Sequence, residues 1–401
     1  MTATRIGRTA TLVALAAVWL VGAVLLWRTS VPDLHLNSDP HRWFTDAQLA
    51  KSRRYERFEY ALWALHLLAT VVALLVLARR APKMARSIEL GRIGTGVIVG
   101  MVMLVTLWAI SLPFGFAQQW WEARHGLAPH DYVTWIFAPW ASLGFEALFA
   151  LATIGIVMGL AGRFGDRWWL VGAPVFVLLA CAFGFLFGYV SAIGTHPVRS
   201  PELRSAFRAL ERTEHVEGTP ISVYDVSSYT TQVNAFSSGF GPSTHVVLWN
   251  TLLDGRLGDD AVKVVVAHEL GHVRHRHVLK GLAWFALFAF PIAWFVTWAT
   301  RRRGGLANAA SLPLAWLALT LASLVAAPFE NVVSRRYEAE ADWSALKATR
   351  DARGGEALFK SFQRTSLQDP SPPHWVYLWL ETHPTLAQRL AMVEAYRERA
   401  R

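Results

Sequence analysis

Seven stretches of this chain are each long and apolar enough to cross a lipid bilayer: residues 10–27, 60–78, 95–118, 138–161, 168–193, 281–299 and 309–329. A span needs about 20 mostly apolar residues. With no water in the hydrocarbon core to satisfy backbone polar groups, such segments must be helices. The expected fold class is therefore mainly α, a seven-helix transmembrane bundle. Arg5 and Arg8 give the first stretch the charge pattern of a signal peptide. Its 18-residue apolar run exceeds the usual signal core and no A-x-A site follows, so it reads as a retained helix.

Composition agrees. Hydrophobic residues make up 53% of the 401 residues and charged ones only 17%, against about 25% charged in an ordinary soluble domain. This argues against a soluble enzyme and excludes disordered and fibrous classes. Nineteen tryptophans suit membrane interfaces. The net charge of +10 sits largely in short arginine runs at span ends, where it anchors to headgroups, so no nucleic-acid partner is expected. The single cysteine, Cys181, excludes an intramolecular disulfide or a thiolate metal cage.

Two larger polar regions remain, and the chain divides into a five-span membrane domain (1–193), a segment 194–280, a two-span hairpin (281–329) and a C-terminal segment 330–401. Between the first two spans, Thr45-Asp46-Ala47-Gln48 has capping-box form and opens a basic helical stretch, Lys51 to Arg57, expected at the membrane surface. In 194–280 a helical pattern runs through Glu214. Strand-like runs follow at 221–226, 234–236 and 245–249, then a helix from about Asp259. Helices are expected at about 331–349, 355–367 and 385–400, broken by Pro370, Pro372, Pro373 and Pro384. Together the two regions form a small α+β domain.

The helix from Asp259 carries His268-Glu269-Leu270-Gly271-His272, an H-E-x-x-H motif. Four-residue spacing puts both histidines on one helical face, able to reach one Zn²⁺ ion with Glu269 beside its open position. A catalytic zinc normally takes a third protein ligand. The best candidate lies beyond two more spans, in Ser334-Arg335-Arg336-Tyr337-Glu338-Ala339-Glu340-Ala341-Asp342. Glu338 and Asp342 share a face, so Glu338 can bind metal while Asp342 supports a ligand histidine; Glu340 points away. Two intervening spans return the chain to the same side, so one metal can bridge both segments. His275 and His277, beside Arg274 and Arg276, read as a solvated interfacial cluster.

On these residues the chain resembles the type-1 CAAX prenyl protease family of integral-membrane zinc metalloproteases. Five spans precede the His268–His272 helix, two follow it, and Ser334–Asp342 is similar to the family's S-R-x-x-E-x-x-A-D signature. The resemblance implies a zinc endopeptidase with a chamber enclosed by the bundle, which would account for His66 and Glu146 within apolar spans; a structural pair joining two helices is the alternative. It implies Glu338 as third ligand and Asp342 as its supporting carboxylate. Asn234-Ala235-Phe236 and Thr382-His383-Pro384 with Arg389 also resemble family motifs. They imply that Asn234, Ala235 and Arg389 bind substrate and that His383 stabilises the transition state. Glu381 departs from the pattern, where a small polar residue is expected.

The expected chemistry is peptide hydrolysis by zinc-activated water, with Glu269 as general base and one zinc per chain. The alternative is a broad-specificity quality-control protease similar to HtpX, which has two spans before its metal helix rather than five. A non-catalytic zinc scaffold would need a fourth protein ligand. Expected partners are a peptide or protein, prenylated or not, and the lipid bilayer, for a protein acting as a monomer. Lys and Arg in the short loops favour a cytoplasmic N-terminus; the resemblance implies a cytoplasmic active site, and that orientation is adopted.

Overall fold

The structure, a computed structural model, describes residues 16–137, 140–228 and 230–400. Among these, six helices are long and apolar enough to cross a bilayer. They are α2 (Asp46–Arg86), α3 (Gly91–Arg124), α5 (Trp140–Phe164), α6 (Trp169–Val190), α9 (His277–Thr300) and α10 (Leu312–Thr349), with the short α4 (Tyr132–Phe137) between α3 and α5. The first expected span lies partly outside the described residues; its described part is an apolar helix, α1 (Ala16–Trp27), whose Trp19 indole donates to Leu287 O of α9 at 3.2 Å. Residues 138–139 of the fourth expected span also lie outside. The protein buries only 11–28% of the apolar windows of the six helices, leaving most of that surface to lipid or the bundle interior.

Two helices are far longer than a span. At about 1.5 Å per residue, the 41 residues of α2 and the 38 of α10 reach about 60 Å, twice the hydrocarbon core. The capping box forms as expected: Thr45 and Gln48 cap each other's backbone. The basic stretch after it does not lie on the surface as a separate helix. It is the first part of α2, with Leu49, Ser52 and Tyr55 buried. Likewise α10 runs without interruption through 329–330, so its span and the helix bearing Glu338 are one element.

The polar regions fold around a four-stranded sheet of β1 (His196–Pro197), β2 (Ile221–Tyr224), β3 (Ala235–Ser238) and β4 (His245–Trp249), in the order β1-β2-β4-β3. β2 and β4 are parallel, and β3 pairs antiparallel to β4 with Ala235 opposite Leu248. β3 is therefore an edge strand. Asn234 O accepts from Trp249 N, and antiparallel alternation then turns the backbone groups of Ala235 and Ser237 toward the free edge.

Packed on this sheet is α8 (Asp259–Arg274), buried without a break from Val264 to Gly271. A helix apolar all round belongs in a core. α7 (Pro201–Thr213) covers it with Leu203, Phe207 and Leu210 at helical spacing, and α11 (Ala352–Thr365) and α13 (Leu386–Arg399) complete the shell. The same core takes Phe44 and Leu49, with Val31, Leu34 and Leu36 packed on it, so the chain between α1 and α2 belongs to the catalytic body as well. α8 and α10 touch closely at Gly271, where a Cβ would lie 3.2 Å from Ala341 Cα and from Ser344 Cβ. A second close approach joins sheet to membrane. A Cβ at Gly188 of α6 would collide with Ser243 O, and Ser191 Oγ lies 2.7 Å from Ser238 Oγ.

Candidate metal centre

α8 and α10 cross so that their polar faces meet. His268, His272 and Glu338 each present one ligand atom, all within 4.8 Å of one another. His268 Nε2 is 3.0 Å from His272 Nε2 and 3.2 Å from Glu338 Oε2; His272 Nε2 is 3.5 Å from Glu338 Oε1. The two segments separated by the α9–α10 hairpin thus converge at one point.

The surrounding hydrogen bonds assign the protons. His268 Nδ1 lies 2.9 Å from Asp342 Oδ1; a carboxylate only accepts, so Nδ1 donates and a neutral ring keeps its lone pair on Nε2. His277 Nε2 lies 3.0 Å from Glu340 Oε2 and is likewise a donor. Its Nδ1 therefore accepts from His272 Nδ1, 2.8 Å away, which leaves the His272 lone pair on Nε2. Two imidazole lone pairs and a carboxylate face one another with no proton among them. Glu338 Oε2 is buried and accepts no well-aligned hydrogen bond. A metal cation satisfies such a set. Burial opposes a charge on His268, but Asp342 and Glu338 outweigh it and push its pKa up to about 10, so the site favours positive charge here. Two histidines and a carboxylate with room for one further ligand fit zinc.

Glu269 is buried beside the ligands, and no hydrogen bond or ion pair to another described residue engages its carboxylate. His383 stands at the rim with its side chain 47% exposed; its Nε2 is 3.2 Å from Glu338 Oε2 and its Nδ1 is 2.9 Å from Thr382 Oγ1. The segment bearing it is gripped by α10. Asn331 Nδ2 donates to Leu378 O at 3.1 Å. Arg335 Nη1 donates to Tyr377 O and Glu381 O, both at 2.6 Å, with the guanidinium 4.1 Å from the Tyr377 ring centroid. The bonds to Tyr377 O and Leu378 O satisfy carbonyls that the short helix α12 (His374–Trp379) leaves free at its C-terminal end, and Glu381 lies just beyond it. Higher on α10, Pro328 has no N–H for Leu324 O, and the Trp379 indole donates to that carbonyl instead at 3.0 Å.

Three expectations need correction. Arg389, expected on the substrate, is buried: its Nε donates to Asp342 Oδ2 at 2.8 Å and its Nη2 to Oδ1, over the Phe359 ring. Arg389 therefore holds Asp342, which holds His268. His277 is not solvated but buried, between His272 and Glu340. His66 stacks on Phe114, with ring centroids 5.0 Å apart, and no hydrogen bond or ion pair joins it to Glu146 among the described residues; Glu146 is exposed. Glu340 does point away from the ligand cluster, as expected, and Asn234 and Ala235 lie at the edge strand.

Comparison with known proteins agrees with this geometry. Residues 197–397 match the model of peptidase family M48. The uncharacterized metalloprotease YhfN of Bacillus subtilis is 24% identical over 321 residues, covering 75% of this chain and 72% of that protein. A protease HtpX homolog of Ralstonia pickettii is 27% identical over 257 residues (62% and 85%). A CAAX prenyl protease 1 homolog of Arabidopsis thaliana is 26% identical over 209 residues (49% and 48%). The crystal structure of S. mikatae Ste24p superposes with a TM-score of 0.73 at 18% identity, covering 94% of this chain and 96% of that one. The expected resemblance is borne out in family and in fold. Spans, metal-ready ligand cluster and family match lead to one conclusion: the chain belongs to peptidase family M48 and is a multi-pass membrane metalloprotease.

Proposed function

We propose that the protein is a zinc endopeptidase, one zinc per chain, in which His268, His272 and Glu338 are the ligands and Glu269 is the general base. The observation that carries this reading is the convergence of three proton-free acceptor groups beside an unengaged, buried glutamate. When bound, zinc would supply Lewis acidity, polarising the scissile carbonyl and activating water near neutral pH. Glu269 would take the proton of the attacking water and return it to the leaving nitrogen. His383, at the rim, would donate to the oxygen on which charge develops. Asn234 and Ala235 would bind an extended peptide along the free edge of β3, a mode that recognises backbone more than sequence.

The five helices before the metal helix, α1 among them, and the Ste24p-like fold favour the prenyl-protease architecture. The substrate is accordingly a membrane-proximal peptide carrying a C-terminal isoprenylated cysteine, cleaved by a monomer whose active site faces the cytoplasm. The HtpX homolog among the relatives supports a second reading, a broad quality-control protease. Purified protein is offered matched peptides with and without the isoprenyl group. Cleavage of the lipidated peptide alone is expected, and equal cleavage of both would select the second reading. Glu269→Gln should keep its zinc and lose about 10²–10⁴-fold in turnover; undiminished turnover would sink the mechanism.

A further inference from the structure

His272 reaches outward through a chain of side chains that the family signature does not include. His277 Nδ1 accepts from His272 Nδ1 at 2.8 Å, and His277 Nε2 donates to Glu340 Oε2 at 3.0 Å. Glu340, 2% exposed, is held in turn by Lys280 Nζ at 3.3 Å, by His275 Nδ1 at 3.4 Å and by the backbone N–H of Ser30. The His277 ring stacks on Tyr337, with centroids 4.6 Å apart and planes within 9°. Tyr337 and its neighbour Arg336 bind the end of α1. The Tyr337 hydroxyl donates to Leu26 O at 2.7 Å and Arg336 Nε to Trp27 O at 3.2 Å, with the guanidinium 4.4 Å from the Trp27 ring centroid. Carbonyls left free where a helix ends are thus taken by the two residues after Arg335, immediately before Glu338.

A buried carboxylate is tolerated only when its oxygens are paired. Both Glu340 oxygens are paired, Oε2 with His277 and Lys280 and Oε1 with the Ser30 N–H and His275. Glu340 directs the His277 proton to Nε2, His277 then offers His272 an acceptor, and His272 must present its lone pair to the metal position. Groups of this kind fix ring orientation and tautomer, and losing one typically weakens metal binding 10–100-fold.

We propose that His277 and Glu340 form a positioning relay for His272, fixing the tautomer that presents its lone pair to the metal position. The inference rests on the zinc reading above.

The test is zinc affinity by competition with a chromophoric chelator, using the full chain purified in detergent. His277→Phe keeps the stack on Tyr337 and removes both ring nitrogens; about 10–100-fold weaker binding is expected. His277→Gln loses the aromatic ring but returns an acceptor to His272 Nδ1, and should recover most of the affinity. If Phe binds as tightly as the wild type, or Gln binds more weakly than Phe, His277 serves packing and the relay is wrong. Wild-type protein that takes up no zinc would overturn the zinc reading itself, and the relay with it.

Discussion

At the scale of single residues, the centre depends on carboxylates aimed at histidine rings. Asp342 is almost fully buried; its Oδ1 accepts from both His268 and Arg389 and its Oδ2 from Arg389 alone. Breaking a buried ion pair on one side leaves the other charge unpaired, a loss of about 3–5 kcal/mol. Arg389→Met should therefore lower the unfolding midpoint in detergent by several degrees, and it should weaken zinc binding through His268. A variant with wild-type stability and metal affinity would show that Asp342 needs no such support. His268, Glu269 and His272 were legible in the sequence because one uninterrupted helix fixes their relative directions. His277 was not. Arg276 adopts a left-handed conformation (φ 55°, ψ 42°), breaking the chain between α8 and α9, and that bend swings His277 back onto His272. Helical periodicity carries no information across such a break.

At the scale of elements, α10 is the organising member. Leu324 O, Asn331, Arg335, Glu338 and Asp342 lie along one face at steps of three, four or seven residues, the spacing of a helical stripe. Down that face they meet Trp379, the end of α12, the rim histidine and the α8 ligand histidine in turn. The Ser334–Asp342 motif exposed the lower half of this stripe to sequence reading. The upper half was hidden, because its partners are backbone carbonyls, which leave no mark on composition. Arg335 fixes the loop that carries His383, and displacement of a catalytic group by about 1 Å can cost 10²-fold. Arg335→Met should lower kcat by about 10–100-fold with zinc content and KM nearly unchanged. Combined with His383→Ala it should add little further loss. Full additivity in that cycle would mean that the two residues act independently.

At the scale of the whole molecule, membrane and catalytic parts are not separable modules. Sequence reading found six spans among the described residues, the edge strand and the meeting of the two motifs at one point. It did not foresee that residues 31–49 enter the catalytic core, since a short polar connection between spans has no periodicity from which packing can be inferred. A metal bridging α8 and α10 stabilises the assembled state by mass action, about 4 kcal/mol at a thousandfold excess over Kd. Chelation should accordingly lower the unfolding midpoint of the wild type, while Glu338→Ala should start low and respond little to chelator. An unchanged midpoint in the wild type would argue that the helices hold together without metal.

Because α10 passes from its membrane half to the ligands with no loop in between, the packing of that half against α2 and α3 fixes the angular phase of Glu338 as well as its height. One residue added between Ala327 and Ser334 would turn everything below it by about 100° and push it about 1.5 Å farther from the membrane half, carrying Glu338 away from both histidines. Seven added residues would restore the heading but displace the site by about 10 Å. No small insertion in that interval preserves both, whereas an insertion of the same size in the Gln368–Pro372 connection leaves the phase untouched. In this helix, chain length between lipid and metal is a quantised variable, and catalysis permits one value of it.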